Sequence, residues 1–556
     1  MEKRTLLAFA LSFLVLFLWE TYFGAGRAPQ TQAPSQSQET APSSEPAAPS
    51  QSAPTAAPAS GAPETLPASQ SADLDQNHVA WTVNTPLYTM QLHESGGRIQ
   101  GLELKAYKQG VAADAPQMEL ISTRTLGYLP LAVDSIKHPE WQLSTRQFST
   151  QDPANLVVAE GSPQKTFSMT TLAPDQVRLT KVFTFSPDSY AIDLTIKLEN
   201  LSGKPLADQL GVSWYYQPFD VHAGSYNQSS LAVLAQGSPS RRTIKEIQKD
   251  KPTFQPPYQW VGYENNYFLN AFVPQDAMPG EVVPKVLKAD AELIQTVYLT
   301  EPFEIEANQS KTITMRLYMG PKELGWLRQA GSNLVAAVDF GWFGFVARPL
   351  LDVLKWLYTY LHNYGTAIIV LTIVIKLIFW PLTHKSYKSM QMMKKLQPKI
   401  NQVREKYKDD REKLNQELML LYRAYKVNPL GGCLPMVLQI PVFFALYRML
   451  ANSVELLHQP FALWIHDLTA PDRLYVGFDI PYLGGIPVMT ILMGASMFIQ
   501  QKMTPSAGDP TQEKIMLLMP VMFTFFFINF PSGLVLYWLV NNVLSIAQQY
   551  WINRSA

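Results

Sequence analysis

The chain has a single cysteine, Cys433, among 556 residues, so no intramolecular disulfide can form. It adjoins an apolar run, where a thiol serves best as a small buried hydrophobe. Eight histidines are present, but none stands in an HExxH pattern or a paired Cys/His spacing, so no metal site is indicated. No GxxxxGK phosphate loop and no GxSxG elbow occurs, which leaves ATPase or hydrolase chemistry without support. The 45 basic residues balance 45 acidic ones, which argues against nucleic acid as the main partner. No catalytic set and no cofactor motif is visible.

What the chain does have is hydrophobic residues, at 47%, although the mean hydropathy is only −0.05. Apolar blocks must therefore alternate with polar ones. The first block, residues 6–19, follows Lys3 and Arg4 and ends in Glu20-Thr21-Tyr22-Phe23. A cleaved signal peptide would end in small residues. This run is bulky and ends in aromatics, so residues 1–23 read as an uncleaved anchor with a cytoplasmic N-terminus. Residues 24–77 are mostly Pro, Ala, Ser and Gln, a composition that cannot bury a core and is expected to form a disordered linker. From 78 to 325 short alternating stretches recur, at 79–83, 177–185, 191–198 and 312–318, separated by Gly, Pro, Asn and Asp. That pattern predicts a large antiparallel β-sandwich.

Beyond it the chain turns helical and apolar. Residues 333–360 are rich in Trp, Phe and Leu but include Asp339, Arg348, Asp352 and Lys355, which predicts an interfacial amphipathic helix. Residues 361–551 hold five membrane-length pieces, at 365–382, 430–450, 486–500, 515–530 and 534–550, the last two split by Pro531-Ser532-Gly533. With the anchor this makes six spans. Twelve basic residues fall between 384 and 429 (Lys385, Lys388, Lys394, Lys395, Lys399, Arg404, Lys406, Lys408, Arg411, Lys413, Arg423, Lys426). Only Glu405, Asp409, Asp410, Glu412 and Glu417 oppose them. The next loop carries Glu455, Asp467, Asp472 and Asp479 against Arg473. By the positive-inside rule the first loop is cytoplasmic and the second outside. Both termini then lie in the cytoplasm and the β-domain lies across the membrane.

Two groups of residues could carry function. In the basic loop, Met390, Met393, Leu396, Ile400, Val403 and Tyr407 recur at helical spacing, followed by Leu414, Leu418, Leu421 and Tyr425. They predict a helical hairpin, residues 384–429, with an apolar seam and a basic exterior that includes Lys394, Lys395, Lys399 and Arg404. The seam either only joins the two arms or leaves methionines exposed as an adaptable landing surface for apolar segments. A ribosome or anionic lipid could use the same charges. Within the spans, Thr372 and Lys376 share one helical face, Gln439 lies in the next span, and Ser496 and Gln500 share a face of the one after. Tyr537, Trp538, Asn541, Asn542, Ser545 and Gln548 mark the last. Such groups face protein or water. Interhelical hydrogen bonding would account for many of them, and snorkelling to the cytoplasmic surface would account for Lys376. A wet cavity open to the cytoplasm accounts for the whole set.

Several motifs, in order, resemble the YidC insertase family, whose relatives occur in mitochondria and chloroplasts. They are Trp380-Pro381-Leu382-Thr383, Leu396-Gln397-Pro398-Lys399-Ile400 and the stretch from Lys426 through Asn428-Pro429-Leu430-Gly431-Gly432-Cys433 to Pro435. Farther on come Pro460-Phe461-Ala462-Leu463-Trp464 and Phe530-Pro531-Ser532-Gly533-Leu534. The likeness covers about 341–551, and the tethered β-domain is similar to the Gram-negative form. It implies a five-helix insertase core in the bacterial inner membrane, with a hydrophilic groove open to the cytoplasm and lipid. It also implies a periplasmic all-β supersandwich similar to sugar-mutarotase folds. The implied partners are nascent integral membrane proteins and the Sec translocon with its accessory proteins. Many members carry arginine where this chain has Lys376, so the charge is kept while the planar fork is lost. The tail after Trp551 has one basic residue, Arg554, and gives little support to ribosome binding through the tail.

Two other classes compete. A secondary transporter would also place polar residues within spans, yet no inverted repeat is evident. A sugar-processing β-domain would need a paired acid and base, and none stands out.

Overall fold

The computed structural model describes residues 79–554 except 219–228, 236, 276–279, 409, 426, 428–433, 479, 482 and 504–509. The expected anchor (1–23), the linker (24–77) and the Asn428–Cys433 motif therefore lie outside the described residues.

Among the described residues, an eight-stranded antiparallel sheet forms the centre of the β-domain. Its strands run in the order 240–242, 230–234, 260–264, 268–274, 310–321, 191–200, 177–185 and 165–173. Alternation in the sequence becomes alternation in space, because successive side chains point to opposite faces. In Ala191–Asn200 every second residue is buried. Trp81 of a five-stranded sheet packs on Phe167 of the large sheet at 5.8 Å, and Tyr216 of a four-stranded sheet stacks on Tyr263 at 4.1 Å. The large sheet thus faces two smaller ones. One pairing departs from the antiparallel expectation, since Trp81–Asn84 runs parallel to Asn155–Val157. Lys181 occupies an inward position of Val177–Phe185 and is fully buried. Its ammonium donates to the carbonyls of Gly96 (2.7 Å), Gly97 (3.0 Å) and Leu131 (2.7 Å), so a charge is tolerated in the core because backbone acceptors surround it.

The helices are α1 (Ile244–Asp250), α2 (Leu324–Ala330), α3 (Gly344–Leu361), α4 (Tyr364–Lys406), α5 (Arg411–Ala424), α6 (Leu434–Asn452), α7 (Val488–Met503), α8 (Pro510–Phe527) and α9 (Ser532–Arg554). The amphipathic helix begins at Gly344 rather than at 333. Leu334–Ala337 and Gly341–Phe343 form separate 3-10 turns, and Gly341, with φ of 64°, breaks the helical run before it. α3 exposes Phe345, Trp356 and Tyr360 on one face and buries Ala347, Leu351 and Leu354 on the other.

The span expected at 365–382 does not end before the hairpin begins. The predicted span and the first arm of the hairpin are one helix, α4, of 43 residues, with Pro381 and Pro398 inside it. Proline removes one N–H, but here α9 packs alongside, and Thr383 and Gln548 exchange hydrogen bonds of 2.9 and 3.3 Å two residues later. At 1.5 Å per residue, α4 is roughly 65 Å long, about twice the hydrocarbon thickness of a bilayer, so a bilayer would hold only about half of it. An 18-residue window in it has a mean hydropathy of 2.2. It alone among the helices of the described residues meets the length and apolarity expected of a span, so the six expected spans are not reproduced by that measure. The bundle nonetheless turns apolar faces outward, with Leu377, Ile378, Leu492, Ile499, Leu518 and Phe525 all at least half exposed.

Candidate functional site

Three helices, α4, α6 and α9, meet around a recess lined by Ile375, Lys376, Phe379, Thr383, Leu438, Gln439, Val442, Tyr537 and Asn541. It takes in about 310 Å³ including its open side. Lys376 is anchored across the recess, donating to Asn541 Oδ1 at 3.0 Å and to Ser545 Oγ at 2.6 Å. Gln439 Nε2 donates to the Tyr537 hydroxyl at 3.1 Å. These three bonds tie neighbouring helices to α9, whose Asn541 and Ser545 stand one turn apart.

Of the intramembrane residues expected to line a cavity, Lys376, Gln439, Tyr537 and Asn541 line this recess. Thr372 sits one turn away, buried, with its hydroxyl donating back to the Ile368 carbonyl at 2.7 Å. Ser496 donates to Met493 O at 2.6 Å and accepts from Asn542 Nδ2 at 3.0 Å, holding α7 to α9. Gln500 bonds the Tyr387 hydroxyl, and so belongs to the contact between α7 and α4. Trp538 turns into an aromatic cluster with Phe443 (4.7 Å) and Phe527 (5.1 Å). Interhelical bonding thus absorbs Ser496 and Gln500, while Thr372 bonds within its own helix and Trp538 packs among rings. Thr383 and Ser545 complete the site. Ser545 was visible as a polar residue of the last span, while Thr383 has only its place seven residues after Lys376, on the same helical face, to mark it.

The hairpin forms as an apolar seam in which Met393, Leu396, Ile400 and Val427 are buried against Leu418, Leu421 and Tyr422. Asp410 caps α5 by accepting from the Lys413 N–H at 3.1 Å. Met393 is therefore glue, and Met390 is half-buried. Tyr425, expected in the seam, lies outside it and meets Lys399. Lys394, Lys395 and Lys399 are exposed and Arg404 is half-buried. Met392, Met419 and Leu420, none of them in the expected stripes, are exposed apolar residues of the hairpin.

A layered β-domain joined to a helical bundle with an apolar exterior and a lysine-bearing recess defines a helical membrane protein with a large domain outside the bilayer. Comparison with known proteins specifies the family. Residues 80–353 match the family model described as the YidC periplasmic domain, and residues 356–556 match the one described as the 60Kd inner membrane protein. The membrane protein insertase YidC of Syntrophobacter fumaroxidans is 56% identical over 558 residues, covering 100% of both chains. That of Syntrophus aciditrophicus is 40% identical over 562 residues, again covering 100% of both. Among solved structures, an active YidC insertase with its first transmembrane domain resolved matches at 19% identity and a TM-score of 0.36, covering 84% of this chain and 91% of its own. A galactose mutarotase-like protein from Clostridium acetobutylicum matches at 9% identity and a TM-score of 0.31, covering 43% of this chain and 94% of its own. The chain belongs to the YidC family of membrane protein insertases.

Proposed function

We propose that this protein inserts and helps fold integral membrane proteins in the bacterial inner membrane, using the Lys376 recess as the client-binding groove. The observation that carries the reading is a lysine within a membrane-length helix, bonded to Asn541 and Ser545 beside a recess whose few polar groups also include Gln439 and Tyr537. The recess is far too small for a whole client. A 20-residue helix about 30 Å long and 10 Å wide fills roughly 2,400 Å³, against about 310 Å³ here. It suits the polar flank of a client, while the apolar segment slides past α4 and α6 into lipid.

That division fits the energetics. A leucine at mid-membrane gains several tenths of a kcal/mol, whereas Asp or Lys costs roughly 2.5–3.5 kcal/mol. Water and polar groups within the inner leaflet shorten the barrier facing the flank. The membrane potential adds roughly 2.3 kcal/mol per charge per 100 mV and drives acidic tails outward. No covalent step is required.

Six spans with both termini cytoplasmic and the β-domain periplasmic complete the proposed topology, supported by the basic residues on α4 and α5. Work with the Sec translocon and contact of the basic hairpin with a ribosome or anionic lipid belong to the same reading. Site-specific photocrosslinking to a stalled nascent membrane protein tests it. Probes at Gln439 and Tyr537 should capture the client and a probe at Trp538 should not. Silence at both recess positions would overturn the groove. Solute uptake by the purified protein in liposomes would instead favour a transporter.

A further inference from the structure

Leu463 is 83% exposed and has a φ of 57°, in the left-handed region that bulky side chains avoid. An exposed leucine there has neither packing nor backbone comfort to hold it, so something outside the chain must favour it. The turn that presents it is firmly made. Phe461 N–H donates to the Ile465 carbonyl at 3.0 Å, and Ile465 N–H donates to the Ala462 carbonyl at 3.1 Å. Ile465 is buried, and the Trp464 indole donates to the buried Asp472 at 2.7 Å, which leaves Leu463 alone at the tip.

The base of the turn is bolted to the start of the apolar helix α4. Asn363, the N-cap of α4, accepts from Thr366 N–H at 2.9 Å and donates its amide to the Phe461 carbonyl at 2.9 Å. Phe461 lies so close to Gly365 that a Cβ there would stand 2.1 Å from its ring. The tip is therefore two residues from a contact with the first turn of α4, at the end opposite its basic half. The preceding helix α3 ends beside it and carries exposed Phe345, Trp356 and Tyr360. Level with the boundary of a span and next to an aromatic face, the natural surroundings of such a side chain are acyl chains.

We propose that Leu463 is a hydrophobic wedge inserted into the outer leaflet, its turn a second membrane contact beside α3. Lipid compensates for the strained backbone, and the wedge ties the loop between α6 and α7 to the bilayer surface. The inference rests on the membrane placement of α4 and goes beyond the client groove.

Because Cys433 is the only cysteine, Cys433→Ser leaves a background for single labels. Full-length protein carrying Leu463→Cys, Ile378→Cys or Val111→Cys is labelled with a nitroxide and reconstituted in phosphatidylethanolamine–phosphatidylglycerol vesicles. Accessibility to oxygen and to a water-soluble nickel chelate is then read by power saturation. Ile378, 66% exposed on α4, marks lipid, and Val111, 51% exposed on the β-domain, marks water. The wedge predicts oxygen access with loss of nickel access at 463, as at 378. Nickel access at 463 equal to that at 111, with 378 still lipid-like, would overturn the wedge and leave the membrane placement standing. Shielding of 463 from both reagents would mean a protein contact and would overturn it equally. Water-like behaviour at 378 would instead remove the placement of α4 itself, and the wedge with it.

Discussion

Replacing Lys376 by methionine keeps the length of the side chain and removes its charge. In the resting protein the ammonium is held by two neutral acceptors, Asn541 at 3.0 Å and Ser545 at 2.6 Å. An acidic client flank must displace one of them. A charge pair at about 4 Å and an effective dielectric near 20 is worth about 4 kcal/mol, and the bond given up to a neutral partner is worth about 1.5–3 kcal/mol. The net preference is then ~2 kcal/mol, or roughly thirtyfold in capture. Lys376→Met should therefore reduce insertion of clients with acidic translocated tails by up to that factor and leave neutral-tailed clients nearly unchanged. Lys376→Arg, which keeps the charge, should be tolerated. Ser545→Ala removes one resting acceptor without touching the charge, so it should preserve the preference for acidic tails. The assay is protease protection of matched clients that differ only in tail charge, with the abundance of each variant equalised. Equal losses for acidic and neutral tails in Lys376→Met, reproduced by Ser545→Ala, would mean that Lys376 only fastens α4 to α9, and the electrostatic argument would fail.

Three further outcomes follow from the packing and the titration. Ile400, fully buried in the hairpin seam, should cost about 2–4 kcal/mol of local stability as Ile400→Ala and slow crosslinking of short nascent chains; unchanged early capture would count against a role for the folded hairpin. Gly365→Ala should destabilise the outer end of the bundle by roughly 1–3 kcal/mol through overpacking on Phe461, and Phe461→Leu should restore part of the melting temperature. Burial pushes the Glu119 carboxyl up to about 7, against the pull of the Leu102 and Ile121 N–H groups. Its folded value lies above its unfolded one, so this contribution is full below about pH 4.5 and is lost as pH rises to about 7. Glu119→Gln should flatten that dependence of β-domain melting, on the order of 2–3 kcal/mol, and an unaltered pH profile would refute the assignment.

The β-domain was legible because its strands are half-buried: Ala191–Asn200 needed only period two to show which residues face inward. Lys181 obeys the same period, but nothing local tells that three carbonyls will meet it, since Gly96, Gly97 and Leu131 are far away in sequence. The span at 365–382 and the hairpin arm from 384 read as separate pieces, whereas they are one helix running through Pro381. Proline is a breaker when a helix stands alone, whereas α9 supports α4 on both sides of it. The recess was half legible. A polar residue in an apolar run announces that it faces something other than lipid, which is why Lys376, Gln439, Tyr537 and Asn541 stood out. Spacing gives a face but not a neighbour, so Thr372, Ser496 and Trp538 looked equivalent to them while folding sends each to a private partner.

The two ends of the bundle differ in how tightly their contacts constrain them. At the outer end, Lys355 of α3 bridges Glu323 (2.8 Å) and Glu455 (3.1 Å), linking the β-domain, the surface helix and the turn after α6. Burial pushes the Glu455 carboxyl up and Lys355 pulls it back, so losing the lysine would strand a buried charge, a costly defect. Asn266 donates to Ala451 O at 3.1 Å, Thr490 N–H to Asp472 at 2.9 Å, and Arg473 to Ile528 O at 2.8 Å, each joining segments distant in sequence. Toward the basic half of α4 neutral side-chain pairs join the helices, such as Thr383 with Gln548 and Gln391 with Asn553 at 2.7 Å. Neutral pairs can be exchanged for water or for a client at small cost, whereas buried ion pairs cannot. An insertase needs that asymmetry. In the groove proposed above, a client parts α4 from its neighbours on the cytoplasmic side, and the same motion must not propagate to the outer side, where it would open a path for ions.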